Sequence, residues 1–170
     1  MYFFRMLGFL AMSLAALVVS ADDRQLALDK INLARQAKGV PSLTWNPDLA
    51  AYAQFWANQM GSDAQPFAHA PLQYRPHQGE TIYEHQSGHC DAAFDGPLQT
   101  AVHDWLLEGS IYDGQPIRTG QEPWLHWSQC MWSGTTQIGC ARAYSISGPY
   151  KVYSVCRFLP EGNVIGQKPF

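Results

Sequence analysis

GCARAYSISGPYKVYSVC, residues 139–156, is the stretch on which the fold turns. Alanine, valine and tyrosine fill its two halves, and SISGP (145–149) between them is turn-forming. The segment therefore reads as two antiparallel strands, near 137–144 and 150–157. Cys140 and Cys156 then fall on neighbouring strands, within disulfide reach. Upstream, PLQTAVHDWLLE (97–108) opens on a proline, places Leu98, Ala101, Val102, Trp105 and Leu106 on one face and stops at Gly109, which predicts a helix. Asn46, Pro47 and Asp48 supply an N-cap, a first-turn proline and an acidic dipole partner for a helix running to Gly61. A further helix is expected over 22–38, with Leu28, Ile31, Leu33 and Ala34 as its stripe and Gly39 as its stop. A third strand is expected around 127–132, and 62–97 reads as a long ordered loop fastened by side chains. Helices first and antiparallel strands later predict an α+β domain.

Composition agrees with one folded domain. Of 170 residues, 46% are hydrophobic and 15% charged, and 11 basic against 14 acidic side chains leave a formal charge of −3. Such a chain has no electrostatic footprint for nucleic acid or anionic lipid. Arg5, an apolar run from Met6 to Val19 and the small residues Ser20 and Ala21 read as a secretory signal peptide over 1–21, too short for the roughly 20 residues that span a bilayer. Residues 22–170 then form a single exported domain. In an oxidising compartment four cysteines are expected to pair. Cys140 with Cys156 is favoured by the strands, which leaves Cys90 with Cys130.

The order of blocks VPSLTWNPDLAAYAQFWANQM (40–60), QGETIY (78–83), AVHDWLLE (101–108), HWSQCMW (126–132), IGCA (138–141) and CRFLPEGNVIGQKPF (156–170) resembles the CAP superfamily of cysteine-rich secretory, antigen 5 and class-one pathogenesis-related proteins. It is most similar to the plant class-one proteins and their secreted fungal relatives. The resemblance implies an α-β-α sandwich, with a three- or four-stranded antiparallel sheet between helical layers. It also implies a cleft carrying His69, Glu80, Glu108 and His126. Two imidazoles and two carboxylates are a donor set for zinc; alternatively, the four groups hydrogen-bond one another and fasten the 62–97 loop.

The resemblance further implies a sterol-binding loop at Trp132, Ser133, Gly134, Thr135, Thr136 and Gln137, with a sterol or fatty-acid-like lipid as ligand and an extracellular host protein as a further partner. For Trp124, Trp127, Met131 and Trp132 the alternative is core packing. His85 and His89 have the i, i+4 spacing of a metal pair, but Ser87 and Gly88 interrupt it, and with His77 they read as exposed loop residues. His103 reads as a solvated position. No G-x-S-x-G or H-E-x-x-H motif is present, and Ser128 is not placed as a nucleophile for His126. The reading favours a secreted, non-enzymatic binding protein acting in host interaction or defence; the alternative is a metal-dependent extracellular hydrolase or protease using the four cleft residues. Residues 160–170, PEGNVIGQKPF, are similar to the signalling peptide that plant class-one proteins release. Leu159 stands where an aspartate precedes that cut, so the tail is expected to stay attached and to pack Val164, Ile165 and Phe170 on the domain.

Overall fold

The computed structural model describes residues 11–148 and 150–170, with side chains from Asp23 onward. The first ten residues of the expected signal segment lie outside the described residues. Helix α1 runs Ala11–Gln36, and Gly39 follows it at φ 69°, the left-handed turn that favours glycine. Strand β1 is Thr44–Trp45 and helix α2 Pro47–Gly61, whose cap is the one expected: the Asn46 side chain accepts from the amides of Asp48 and Leu49. Strand β2 is Gly79–Gln86, helix α3 Pro97–Leu107 and helix α4 Leu125–Met131. Strands β3 (Gln137–Tyr144) and β4 (Lys151–Leu159) are the hairpin on which the fold was read.

The sheet order is β1-β3-β4-β2. Three of its strands pair antiparallel, whereas β1 joins β3 in parallel, so the sheet is mixed rather than wholly antiparallel. Side chains alternate across it with period two. Cys140, Cys156 and Phe158 face a layer of α1, α3 and α4, where Ile31, Leu98, Trp105 and Cys130 are buried. Ala141, Tyr153 and Val155 face α2, with Ala53, Trp56 and Met60. This is the α-β-α sandwich. Gly139 lies where a Cβ would run into the backbone of Asn46 and Ala50, so only glycine lets α2 start so close to the sheet.

Three sequence expectations need correction. The expected strand at 127–132 is α4: Trp127, Cys130 and Met131 repeat at helical spacing and all are buried, and a short apolar run fits either period. The 62–97 segment is not all loop, because GETIYEHQ pairs with β4 along its whole length; its polar sequence hid the strand. The Cys90–Cys130 bridge is not formed. Cys140 and Cys156 stand opposite each other and are bonded, while Cys90 is exposed in a surface turn and Cys130 is sealed in the core on α4, where burial pushes its thiol pKa up.

Two buried charges fix the layers. Asp23 of α1 accepts from the Leu98 and Gln99 amides at the start of α3 and pairs with Arg142 of β3 at 2.9 Å. Arg35, fully buried, donates to the carbonyls of Pro41, Cys130, Trp132 and Thr135 and so ties α1 to the α4–β3 connection. Burial lowers its pKa to about 10; the four carbonyls hold the cation in place.

Candidate functional site

Glu80 enters the site because β2 pairs with β4. It stands directly opposite Arg157, and both side chains are sealed, at 1% and 0% exposure. Oε2 lies 2.9 Å from Arg157 Nη2, an ion pair by distance that lacks hydrogen-bond alignment. Oε1 accepts from the Ala70 amide at 3.0 Å and from His69 Nδ1 at 2.7 Å. Burial lowers the Arg157 pKa, and the charge on Glu80 works against that. The same guanidinium reaches the Tyr74 carbonyl at 3.1 Å, so one cation fastens the segment that carries His69 to the sheet.

Glu108, just past α3, does the corresponding work for His126. Its Oε2 accepts from the His126 and Trp127 amides at 3.0 and 3.1 Å, and Oε1 meets His126 Nδ1 at 2.7 Å. The imidazole stacks on Trp105, with centroids 5.9 Å apart. An ionised carboxylate only accepts, so in each pair Nδ1 is the donor, and in the neutral imidazole Nε2 is the nitrogen that carries the free lone pair. Neither Nε2 has a hydrogen-bond partner among the described residues.

The four residues share one hollow of about 260 Å³, completed by Gln121, Glu122, Pro123, Leu125 and Asn163. A second hollow of about 420 Å³ shares His69, Glu80, Leu125 and Asn163 with it. The two form a continuous cleft between the 62–78 segment, the 118–126 loop and the tail. The smaller hollow is lined by three carboxylates and no lysine or arginine; Arg157 offsets the charge of Glu80 from behind, and the remaining two, Glu108 and Glu122, favour a cationic occupant.

Glu122 and Asn163 are the residues that sequence reasoning missed. Glu122 accepts from the Arg118, Thr119 and Gly120 amides, wrapping TGQE around its own carboxylate. Burial pushes its pKa up, but the Thr119 and Arg118 amides outweigh this and bring it to about 2. A carboxylate depressed in the folded state stabilises above its unfolded value and loses that contribution as pH falls through the folded one. The latch is therefore expected to hold from neutral pH down to about 2. An NMR titration of the Glu122 carboxyl should find its midpoint near there; a midpoint near 4.5, the ordinary value, would contradict the latch. The signal in the sequence was a Thr-Gly turn followed by a glutamate. Asn163 had only its tolerance of positive φ, here 56°.

The tail is part of the cleft wall. Gly162 N donates to Gln129 Oε1, Asn163 Nδ2 to the Leu125 carbonyl, Gly166 N to Ile117 O, Ile117 N to Gln167 O, Ser133 N to Pro169 O and Thr135 Oγ1 to Pro160 O. Val164, Ile165 and Phe170 are 39%, 64% and 48% exposed. The tail is thus held largely by hydrogen bonds; of the three side chains expected to pack, Phe170 meets the Trp127 ring edge-on at 6.0 Å, whereas Ile165 points mostly to solvent. Ser128, buried on α4, bonds to the Leu125 carbonyl and to Asn163.

Other sequence candidates fall elsewhere. In the 132–137 loop, Trp132 and Thr135 are buried, Gln137 begins β3, and Ser133, Gly134 and Thr136 are exposed. Trp124, Trp127 and Met131 join Trp132 in the interior. His85 Nε2 is 3.0 Å from the Asp91 carboxylate, and His77, His89 and His103 are exposed. Among the described residues no group of three or more His, Cys, Asp or Glu is arranged to hold a metal, and no helix is long and apolar enough to cross a membrane.

A sandwich of this topology, with two His–Glu pairs opening on one cleft, defines a recognisable class of small domain. Residues 28–158 match the model of the cysteine-rich secretory protein family, CAP, and the chain belongs to that family. It is 34% identical over 150 residues to pathogenesis-related protein 1B of Nicotiana tabacum, covering 88% of this chain and 82% of that one. It is 32% identical over 146 residues to the secreted protein RBT4 of Candida albicans, covering 85% of this chain and 37% of that protein. In fold it is similar to a crystal structure of NaASP2 with Zn2+, with TM-score 0.70 at 19% identity over 87% of this chain and 84% of that one.

Proposed function

We propose that the protein is a secreted binding protein rather than a hydrolase, with a central cleft that takes a weakly held divalent cation and a surface that takes a sterol or similar small lipid. The observation that carries the first part is the fixed orientation of the two imidazoles: Glu80 and Glu108 hold Nδ1 of His69 and His126 and leave Nε2 as the donor on each ring. The donor set suits zinc through two protein ligands, with solvent for the rest. Glu80 and Glu108 then orient the ligands instead of joining them. When bound, the ion would act as a Lewis acid toward a coordinated oxygen. The zinc-containing relative NaASP2 supports the choice of metal. Against hydrolysis, Ser128 is committed to Leu125 and Asn163, and Cys130 is buried.

The lipid part rests on family membership and on the exposed turn Ser133–Gly134 beside Trp132. Fatty-acid-like ligands belong to the same proposal, as does an extracellular host protein.

Calorimetry with zinc and a sterol titration test the reading together. Zinc binding should be lost in a His69→Ala/His126→Ala variant. Saturable sterol binding should weaken in Thr136→Asp, which places a charge at an exposed loop position and leaves the buried Thr135 bonds alone. Zinc binding equal in both proteins, or zinc-dependent turnover of peptide or ester substrates, would overturn the reading.

A further inference from the structure

Helix α2 buries Leu49, Ala53, Trp56, Ala57 and Met60 and leaves its other side uncovered. On that side Asp48, Tyr52 and Phe55 recur at i, i+4 and i+7, one stripe of the helix. The 3-10 turn Leu72–Tyr74 lies against it and closes a hollow of about 660 Å³, lined by Asp48, Ala51, Tyr52, Phe55, Gln73 and Tyr74. Three aromatic rings, 39–44% exposed, form its walls. Asp48 is the only charged group in the lining and makes no salt bridge among the described residues.

The hollow does not depend on a mobile side. The Tyr74 ring packs on Phe55 at 5.4 Å and on Trp56 at 6.1 Å, and its carbonyl accepts from the buried Arg157. The Tyr74 and Phe55 rings are held against each other before any ligand arrives, which limits the ordering cost of binding.

An uncharged apolar guest would satisfy the rings but gain nothing from the carboxylate, and a compact, strongly hydrated ammonium would satisfy the carboxylate but resist leaving water. A cation wrapped in methyl groups uses both, since aromatic faces attract it through their quadrupoles and its methyls bury on the rings. We propose that this groove binds a small soluble molecule bearing a quaternary ammonium group of choline size. The groove lies on the outer side of α2 and shares no lining residue with the His–Glu cleft.

The test uses choline and its neutral isostere 3,3-dimethylbutan-1-ol, read by the upfield ring-current shift of the methyl protons on titration with the protein. Choline should saturate and bind at least tenfold more tightly than the isostere. Phe55→Leu and Tyr74→Leu should each weaken it about tenfold, and Asp48→Asn about threefold with loss of the salt dependence. Circular dichroism confirms that each variant is folded, and Tyr52→Leu provides an independent aromatic deletion should Tyr74→Leu fail to fold. Equal binding of choline and the isostere, no change in the aromatic variants, or binding to phosphatidylcholine vesicles without binding of free choline would each overturn the proposal.

Discussion

Deleting residues 160–170 will remove most of the protein's stability. Seven hydrogen bonds join the tail to Gln129, Leu125, Ser128, Ile117, Ser133 and Thr135. At about 0.5–1.5 kcal/mol each they contribute roughly 4–10 kcal/mol, against about 5–15 kcal/mol for a whole domain. The truncation also uncovers Trp132, which packs so tightly under the tail that a Cβ on Gly162 would sit 2.7 Å from its ring. Thermal unfolding of the 160–170 deletion should fall by more than about 10 °C, with Asn163→Ala showing a smaller drop in the same direction. A truncated protein melting within about 2 °C of the intact one would show that the tail is a passive appendage. The same bonds protect the 159–160 peptide bond, so mass spectrometry of the protein recovered from plant tissue should find a chain ending at Phe170. A major species ending at Leu159 would contradict this.

Arg157→Met should cost about 3–5 kcal/mol, the usual loss when one partner of a buried ion pair is removed and the other charge is left uncompensated. Glu80 would keep two donors, Ala70 N and His69 Nδ1, but lose the one arginine or lysine paired with it among the described residues, in a site 1% exposed. The double variant Glu80→Gln/Arg157→Met should recover part of the loss, because the stranded charge goes with its partner. Chemical denaturation of the single and double variants measures the coupling. Strict additivity would mean that the two side chains do not interact. A separate effect is expected on the site: Glu80→Gln should weaken zinc about 10–100-fold by loosening the His69 ring, without removing a metal ligand.

The hairpin at 137–159 was legible because its strand-forming residues, a Gly-Pro turn and opposed cysteines all point the same way. The Asn46 cap was legible for the same reason, as local chemistry that nothing overrides. Strand β2 was not, since GETIYEHQ carries glycine and two glutamates, and it becomes a strand by pairing with β4 along its whole length, where Arg157 stands across from Glu80. Helix α4 was misread because LHWSQCM is only seven residues long and its four apolar side chains fit both periods. The loss of the Cys90–Cys130 pairing follows from that error: a strand could have presented Cys130 to a surface loop, whereas the helix turns it into the core.

The four cleft residues lie far apart in the chain, and only family resemblance named them. The division of labour among them was not readable at all. Four side chains look alike as donors in a sequence, but the main-chain amides of Ala70, His126 and Trp127 claim the carboxylates and turn each glutamate into a support for one imidazole. Glu122 escaped notice because its role depends on a loop folding around its own side chain.

In the proposed reading His69 and His126 present Nε2 to an ion while Glu80 and Glu108 hold Nδ1. Long-range ¹H–¹⁵N NMR of the histidine side chains during zinc titration separates this arrangement from its alternatives. The Nε2 resonances of these two residues should shift together as zinc is added, with Nδ1 protonated throughout and His77, His89 and His103 unchanged. Zinc at Nδ1, or shifts spread over the exposed histidines with none at His69 and His126, would contradict the account.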